Sequence, residues 1–552
     1  MSIQIGKNAL NASQLALDTV GRNITHANDP SYARQRVHVT STHHGNLLNR
    51  IEAAVSFSLE KDILRETSTL GYYTTQSEIL NKLETSINEL SDSDISSALD
   101  DFYQSLEKLS LNPHDVPLRQ TVLESSQKVS DIFRLVSGSI ENIEDAVDRE
   151  IGDSASIVND ILSRIADQNL EIVKREGGVD DNPANELRTT RRELVNQLSQ
   201  LMNVTSTELS NGSVLLQSDG RTLVFHGETR GVYVDSTDGI NRLRYTGDNS
   251  YVDPSGGSLG GLISGRADII EPMRDDLDEL AREFAWQINK IHNTGRGLTG
   301  MTELTSYTKV DPNFIDESLD IAIVNQSSLG NNFKPQNGVL TIEVYNEITG
   351  STEDFTIDIT LLGDDTMSLM DLNDEIQQVD HLNASIDNVG HISIEADSGY
   401  SFFFKEDTSD VTSFLGFNNF FNGAEAGTLE VNEILLDDPQ LFAAGKSASP
   451  GDNTNLMGMI NTRDDELKSG FTLNQTYESY VSEVATQTGR MSSLLDNQER
   501  IVADVEMRRQ TYSGVNLDEE AAALLQYQQM YGAAAQYISI QNQLFTFLMN
   551  TI

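Results

Sequence analysis

The stretch whose residue types most suggest chemistry is Gly256-Gly257-Ser258-Leu259-Gly260, a G-x-S-x-G spacing. In hydrolases that pattern exposes a nucleophilic serine on a tight turn, which needs a buried strand running in and a helix running out. A helical pattern follows here, but Asp253-Pro254-Ser255 stands where the strand should be. In a chain with 38 glycines the match reads as a flexible loop ahead of a helix. An exported serine hydrolase using Ser258 remains an alternative. His26, His38, His43 and His44 crowd near the N-terminus with no carboxylate or cysteine at ligand spacing, so no metal is expected there. Acidic pairs such as Asp364-Asp365 read as solvated surface, with a weak calcium contact as the chemistry they could offer. No H-E-x-x-H, EF-hand loop, Walker A or dinucleotide fingerprint occurs. The expectation is a protein that is not an enzyme and uses no cofactor.

Composition narrows the partners. The chain has 552 residues, enough for three or four domains. Its 85 acidic against 38 basic side chains give a net charge of −47, which repels nucleic acid and anionic lipid. There is no cysteine, which excludes a disulfide framework and thiolate chemistry. The same absence spares a chain that travels unfolded into an oxidising environment from wrong cross-links. No basic n-region with an apolar h-region opens the sequence, and no run approaches a membrane span. A secreted protein without a cleavable signal peptide, and without membrane insertion, is the expectation.

Helical seams lie at both ends of the sequence. Leu517, Leu524, Tyr531, Ile538 and Phe545 recur every seven residues, as do Ile3, Leu10, Leu17 and Ile24. Such a repeat lays one stripe of a helix against another helix. Asn516 can cap the later helix, with Glu519 at capping-box spacing and Asp518 to Glu520 on the favourable end of its dipole. Pro30 predicts that the first helix stops near Asn28. Residues 1–50 carry a net +3 and residues 513–552 a net −3, which invites the two ends to pair. A helix with so thin a seam is marginal alone and needs a partner to cover it.

Between the ends the pattern is nested. From about 56 to 175 it is helical, broken at Ser91–Asp94 and by a proline turn over Asn112–Pro117. Gly177–Pro183 is a loop, and a short helix runs to about 201. Residues 203–258 alternate and are turn-rich, predicting short strands. A helix with Ile270, Met273, Leu277, Leu280, Phe284, Ile288 and Ile291 on one face follows, then strands over 300–450 and helix again over 455–512. The expected fold class is α+β and multidomain. Residues 1–46 with 513–552 form a terminal coiled coil, and 47–202, 258–299 and 450–512 form a long-helix domain. Residues 203–257 form a small β-rich segment and 300–449 a β-rich outer insert.

Leu10-Asn11-Ala12-Ser13-Gln14, Leu17-Asp18, Asn23-Ile24 and Ala27-Asn28-Asp29-Pro30-Ser31-Tyr32 together resemble the N-terminal signature of the flagellar axial proteins, the family of rod, hook and hook-associated subunits. That family usually has glycine where this chain has Ser31. Ala33-Arg34-Gln35-Arg36-Val37 and Ser513-Gly514-Val515-Asn516-Leu517-Asp518-Glu519-Glu520-Ala521 are narrower, similar to the hook-associated branch at the hook–filament junction. Gly295–Gly300, Asp437–Pro439 and Pro450–Asn453 add to that likeness, whereas residues 300–420 carry little of it. The resemblance implies a bacterial flagellar subunit outside the cell, exported by the flagellar type III system. It further implies a ring of copies of the chain, with hook protein on one side and hook-associated protein 3 on the other. A flagellar export chaperone would bind the C-terminal region. Leu10, Leu17, Ile24, Leu517, Leu524, Tyr531, Ile538 and Phe545 would then pack subunit to subunit. An extracellular adhesin displaying 300–449 is the other alternative.

Overall fold

The computed structural model describes residues 2–29, 31–41, 47–88, 94–177, 184–237, 242–252, 255–319, 335–361, 366–467 and 469–551. His43, His44, Ser91–Ser93, the loop 178–183, Asp253-Pro254 and Asp364-Asp365 lie outside the described residues. In chain order come α1 (Ser2–Thr25), the hairpin β1 (Gln35–Ser41) and β2 (Leu47–Ala53), α2 (Phe57–Asn88), α3 (Ile95–Leu111), α4 (Val116–Glu176) and α5 (Asn185–Leu201). The strands β3 (Thr205–Glu208), β4 (Val214–Ser218), β5 (Arg221–Phe225), β6 (Glu228–Thr229), β7 (Val232–Asp235) and β8 (Arg242–Tyr245) precede α6 (Gly257–Gly265) and α7 (Glu271–Asn293). Then follow β9 (Glu303–Thr305), β10 (Gly338–Asn346), β11 (Thr352–Ile359), α8 (Leu369–Gln377), β12 (Leu382–Ile386), β13 (Ile392–Ala396) and β14 (Tyr400–Asp407). The last elements are α9 (Val411–Leu415), β15 (Phe421–Asn422), β16 (Glu430–Val431), α10 (Glu433–Asp437), α11 (Thr454–Asn461), α12 (Leu473–Ser513) and α13 (Leu517–Thr551). The fold is α+β with long helices at both ends and several small antiparallel sheets.

Two compact units divide the chain. One gathers residues 1–80, 144–268 and 487–552, the other 81–143 and 269–486. In the first, α6 lies very close to α2 because Gly261 and Gly265, four residues apart, share one face. A Cβ on Gly261 would stand 2.8 Å from Tyr72 O, and one on Gly265 2.5 Å from Ile79 Cδ1. The small β module hangs on α4 by two asparagines. Asn169 donates to Val214 O at 2.9 Å and accepts from Val214 N–H at 2.9 Å, and Asn159 does the same with Val232 at 2.8 and 2.9 Å. Each amide replaces a missing ladder partner, which keeps the strand ends satisfied.

Local signals explain the breaks. Asp94 caps α3 by accepting from Ser97 N–H at 2.7 Å, and Asp115 Oδ1 accepts from Leu118 N–H at 3.2 Å where Pro117 starts α4. Several elements depart from the sequence reading, among them the hairpin β1–β2, which falls where only coiled coil and long helices are expected, and the short helices α9 and α10 within the expected strands. Helix α8 falls inside the stretch expected as strands, although Ser368 and Asp371 form a capping box and Leu369, Leu372 and Ile376 share its buried face. Between α6 and α7, Arg266–Ile270 form a π-turn. Arg266 there reaches Glu144 at 2.7 Å and Asp148 at 2.8 Å and is nearly buried.

The second unit has an aromatic centre. Phe102 meets Phe284 edge-on at 5.6 Å, and Phe421 packs within 4.9 Å of Phe284 and 4.8 Å of Phe420. A second core lies within the strand-rich part, around Leu340, Ile342, Ile394, Phe402, Phe404 and Phe417. His292 sits fully buried beside the aromatic group. Its Nδ1 bonds Asn418 O at 2.8 Å and its Nε2 accepts from Ala443 N–H at 3.1 Å, so the neutral ring with a proton on Nδ1 fits both partners.

Burial holds His292 down at about 4, the Asn418 carbonyl opposing this and the Arg119 charge adding to it. A depressed histidine contributes stability above its ordinary range that is lost as pH falls toward the folded value. Urea melts between pH 6.5 and 4 should therefore show a loss of on the order of 3 kcal/mol from this group. His292→Gln, which keeps a donor and an acceptor but cannot titrate, should flatten that part of the curve.

Candidate functional site

The two segments that carry the family resemblance meet in space. Helix α1 runs antiparallel to α13, anchored at Gly6, whose Cβ position is 2.7 Å from Ile538 Cγ1, and at Asn23, which donates to Glu520 Oε2 at 3.0 Å. At that second anchor the turn after α1, the start of β1 and the first turn of α13 converge. Asn23 Nδ2 also donates to Gln35 O at 2.9 Å, and its Oδ1 accepts from Tyr32 OH at 2.9 Å and Gln35 N–H at 3.0 Å. All four hydrogen-bonding capacities of this amide are used. Arg34 donates through Nε to Glu520 Oε1 at 2.6 Å and through Nη1 to Glu519 Oε2 at 2.5 Å. Its backbone N–H donates to Ser513 O at 2.7 Å.

The turn into the knot is built locally. Ser31 N–H donates to Asp29 Oδ1 at 2.9 Å, an Asx-turn, and Arg192 of α5 donates to Ser31 O at 3.1 Å. His26 stacks on Tyr32 with ring centroids 4.9 Å apart. Glu520 is 1% exposed, as is Asn23. Burial pushes the Tyr32 phenol up to about 12, Arg22 opposing and Glu520 and Glu186 adding to it, so the hydroxyl remains a donor to Asn23. Burial draws Arg34 down, but Glu519 and Glu520 outweigh it and hold it above its ordinary value. Asn516 caps α13 by accepting from Asp518 N–H at 2.9 Å, as expected. Glu519, placed for a capping box, turns instead to Arg34. Two of the three acidic residues that open α13, Glu519 and Glu520, thus join the two ends.

Burial along the helix pair differs from the leucine stripe. On α1 the covered positions are Gly6, Ser13, Ala16, Thr19, Val20 and Asn23. On α13 they are Glu520 and Ala534, with Ala523, Leu524, Tyr527, Ile538 and Gln541 partly covered. Small residues thus let the backbones approach; of the heptad residues Ile538 packs on Gly6, and the others fall to the flanks. Leu10, Leu17, Leu524 and Ile538 are half-buried, while Ile24 is 37%, Leu517 53%, Tyr531 36% and Phe545 58% exposed. Leu544, Phe547, Leu548 and Met549 are exposed as well. A shallow groove of about 530 Å³ runs along Ala535, Ile538, Ser539, Asn542, Gln543 and Thr546.

The inner stretches of resemblance also converge, within the second unit. Arg296 N–H donates to Gly445 O and Leu298 N–H to Gln440 O, both at 2.7 Å. A Cβ on Gly297 would stand 2.6 Å from Gln440 O, so this strand-like contact requires glycine. Arg296 lies 4.0 Å over the Phe403 ring and pairs with Glu343. Arg119, 1% exposed, donates to Phe442 O at 2.5 Å and Pro113 O at 2.8 Å. The Asp452 carboxylate, drawn up by burial, is held below its usual range by the hydroxyls and N–H groups of Thr454 and Ser447 and the N–H of Lys446. These groups are spent on one another and clasp the loops together.

Ser258 is the second residue of α6, behind Gly257, whose φ of +74 and close approach to Leu201 require glycine. Strand β8 ends at Tyr245, and no strand leads into the serine among the described residues. His38 is exposed near Glu52, and no cluster able to hold a metal occurs among the described residues. No helix among them is long and apolar enough to cross a membrane.

Comparison with known proteins agrees with this arrangement. Residues 80–305 match the family model described as the flagellar hook-associated protein FlgK helical domain. Flagellar hook-associated protein 1 of Bacillus subtilis strain 168 is 22% identical, covering 100% of this chain and 98% of that protein. The proteins of the same name from Salmonella typhimurium LT2 and Escherichia coli K12 are each 25% identical, over 98% of both chains. The solved structure of the flagellar hook junction protein FlgK from Burkholderia pseudomallei aligns with a TM-score of 0.50 at 14% identity. It covers 83% of this chain and 100% of that one, a likeness of fold.

Removing one member of the knot strands the others. Asn23→Ala leaves Gln35 N–H, Tyr32 OH and Glu520 short of a partner, at a cost of about 2 kcal/mol. Protease cleavage within residues 2–34 should then accelerate by about 30-fold at fixed protease. Arg34→Lys, which keeps the charge but loses the fork, should fall between wild type and Arg34→Ala.

Proposed function

We propose that this chain, a member of the flagellar hook-associated protein 1 family, is a structural adaptor at the hook–filament junction that joins the axial structure through its paired terminal helices. One observation carries the reading. The knot at Asn23 and Glu520 satisfies the helix pair within one molecule, yet the heptad residues other than Ile538 stay on its flanks. Leu10, Leu17, Ile24, Leu517, Leu524, Tyr531, Ile538 and Phe545 are then the surface offered to neighbouring copies. Each such side chain, fully covered, contributes about 1.5–3 kcal/mol, so a ring of contacts stabilises what a lone helix pair leaves unfinished.

Partners follow from the same surface. Copies of the chain form the ring, hook protein lies on one side and hook-associated protein 3 on the other. A flagellar export chaperone covers the exposed apolar end of α13, around Leu544, Phe545, Phe547, Leu548 and Met549, until assembly. Export through the flagellar type III channel suits a chain without cysteine, which cannot form wrong cross-links on the way. The protein works outside the cell, as a structural component and not as an enzyme, with no cofactor.

Leu10→Asp, Leu517→Asp and Phe545→Asp test this directly, because each lies on a flank and not in the knot. The purified variants should melt within about 2 °C of wild type, as expected of changes outside the core. In cells lacking the wild-type chain they should reach the medium, fail to add to hook ends in electron micrographs, and leave the cells non-motile. Normal filaments on those hooks would exclude the assignment of these residues.

A further inference from the structure

The clasp around Arg119 and Asp452 in the second unit lines a groove of about 240 Å³, together with Arg296, the loop 297–300, Glu347 and Phe403. Arg119 is the member that the clasp leaves unfinished. It is 1% exposed, and its Nε and Nη1 donate only to carbonyls, those of Pro113, Pro439 and Phe442. Among the described residues Nη2 meets no acceptor, and no carboxylate pairs with the guanidinium. Burial draws Arg119 down to about 10, and the Asp438 charge offsets this only in part. At neutral pH the group therefore keeps its proton and sits out of water without an ion pair, a costly arrangement.

Further donors line the same groove. Arg296 pairs with Glu343 through Nη1 and lies over Phe403, while its Nε and Nη2 have no hydrogen-bond partner among the described residues. In the loop 297–300, Leu298 N–H is bonded to Gln440 O, whereas the N–H groups of Gly297, Thr299 and Gly300 meet no acceptor there. Guanidinium and backbone N–H groups together suit a carboxylate. Negative charge is present too, and it is unevenly spent. Asp452 accepts through both oxygens from Thr454, Ser447 and Lys446. Glu347 accepts from Ser401 Oγ through Oε1 at 2.6 Å, and its Oε2 has no partner among the described residues. A plain anion would gain from the arginines and be repelled by these two carboxylates, so a ligand carrying both signs matches the lining better. Leu298, Phe403, Ala444, Ala448 and Pro450 add apolar wall.

We infer that this groove binds a small α-amino acid with an apolar side chain: Arg119 Nη2 and the N–H groups of Thr299 and Gly300 hold its carboxylate, Glu347 Oε2 holds its ammonium, and Leu298 and Ala448 cover its side chain. Each charged end of the ligand then meets a group that the fold itself leaves without a partner. Neither end alone would offset both.

Isothermal titration calorimetry of the full chain tests this with three probes: L-valine, N-acetyl-L-valine, which lacks the ammonium, and L-valinamide, which lacks the carboxylate. L-valine should bind once per chain with a Kd of about 1 mM or below, and each blocked form at least tenfold more weakly. Glu347→Gln, an exposed change outside the clasp, should no longer distinguish L-valine from N-acetyl-L-valine. Arg119→Lys, which keeps the charge but loses the fork, should lose measurable binding of L-valine while retaining the wild-type circular dichroism. Should that variant not fold, the blocked forms and Glu347→Gln decide alone. The absence of saturable binding of L-valine, equal binding of either blocked form, or undiminished discrimination in Glu347→Gln would each overturn the proposal.

Discussion

A buried carboxylate at the meeting of two chain ends constrains everything else. Glu520 is out of water, and an unpaired charge there would cost several kcal/mol. Arg34 and Asn23 supply the compensating donors, and each is fixed in turn. Arg34 is held by the backbone of Ser513 and by Glu519, Asn23 by Tyr32 and Gln35. A buried pair of this kind adds little net stability over an apolar contact, but a shifted alignment would leave it unpaired. It therefore sets the register of α1 on α13.

The register decides which residues are covered. With Asn23 opposite Glu520 and Gly6 opposite Ile538, small side chains line the contact and larger ones are turned to its sides. Stability within one molecule and readiness for a neighbour are thus divided between two faces of the same helices. Polar bonds with strict geometry hold the first, and apolar area without strict geometry remains on the second. A more hydrophobic inner seam would bind more strongly but choose its alignment less sharply.

Much of this was legible from residue types. The seven-residue repeats found both terminal helices, Pro30 the end of the first, and Asn516 the cap of the last. The proline turn between α3 and α4 was equally plain. Which side of each helix turns inward was not, because Leu524 can belong to a seam completed by Tyr527 or by Gln528, and periodicity allows both. The choice rests on Glu520, whose inward position no hydrophobicity pattern would suggest. Helix α8 was missed although Ser368, Asp371 and the Leu369, Leu372, Ile376 spacing signal it. The π-turn at Arg266 leaves the run from Leu259 to Ile291 apolar in pattern, so a single extra residue passes unseen. Gly256 and Gly257, in the stretch read as a flexible loop ahead of a helix, approach Ser68 and Leu201 closely.

The measurement that bears most directly on the terminal knot is amide hydrogen exchange of the free monomer, followed separately in α1 and α13. If the knot joins the ends within one molecule, residues 13–25 and 517–530 are protected and open together, with one common rate that is independent of protein concentration. If either segment exchanges as rapidly as unstructured peptide, or becomes protected only as concentration rises, the ends do not pair in the single chain. The register set by Glu520 would then be a property of the assembly alone.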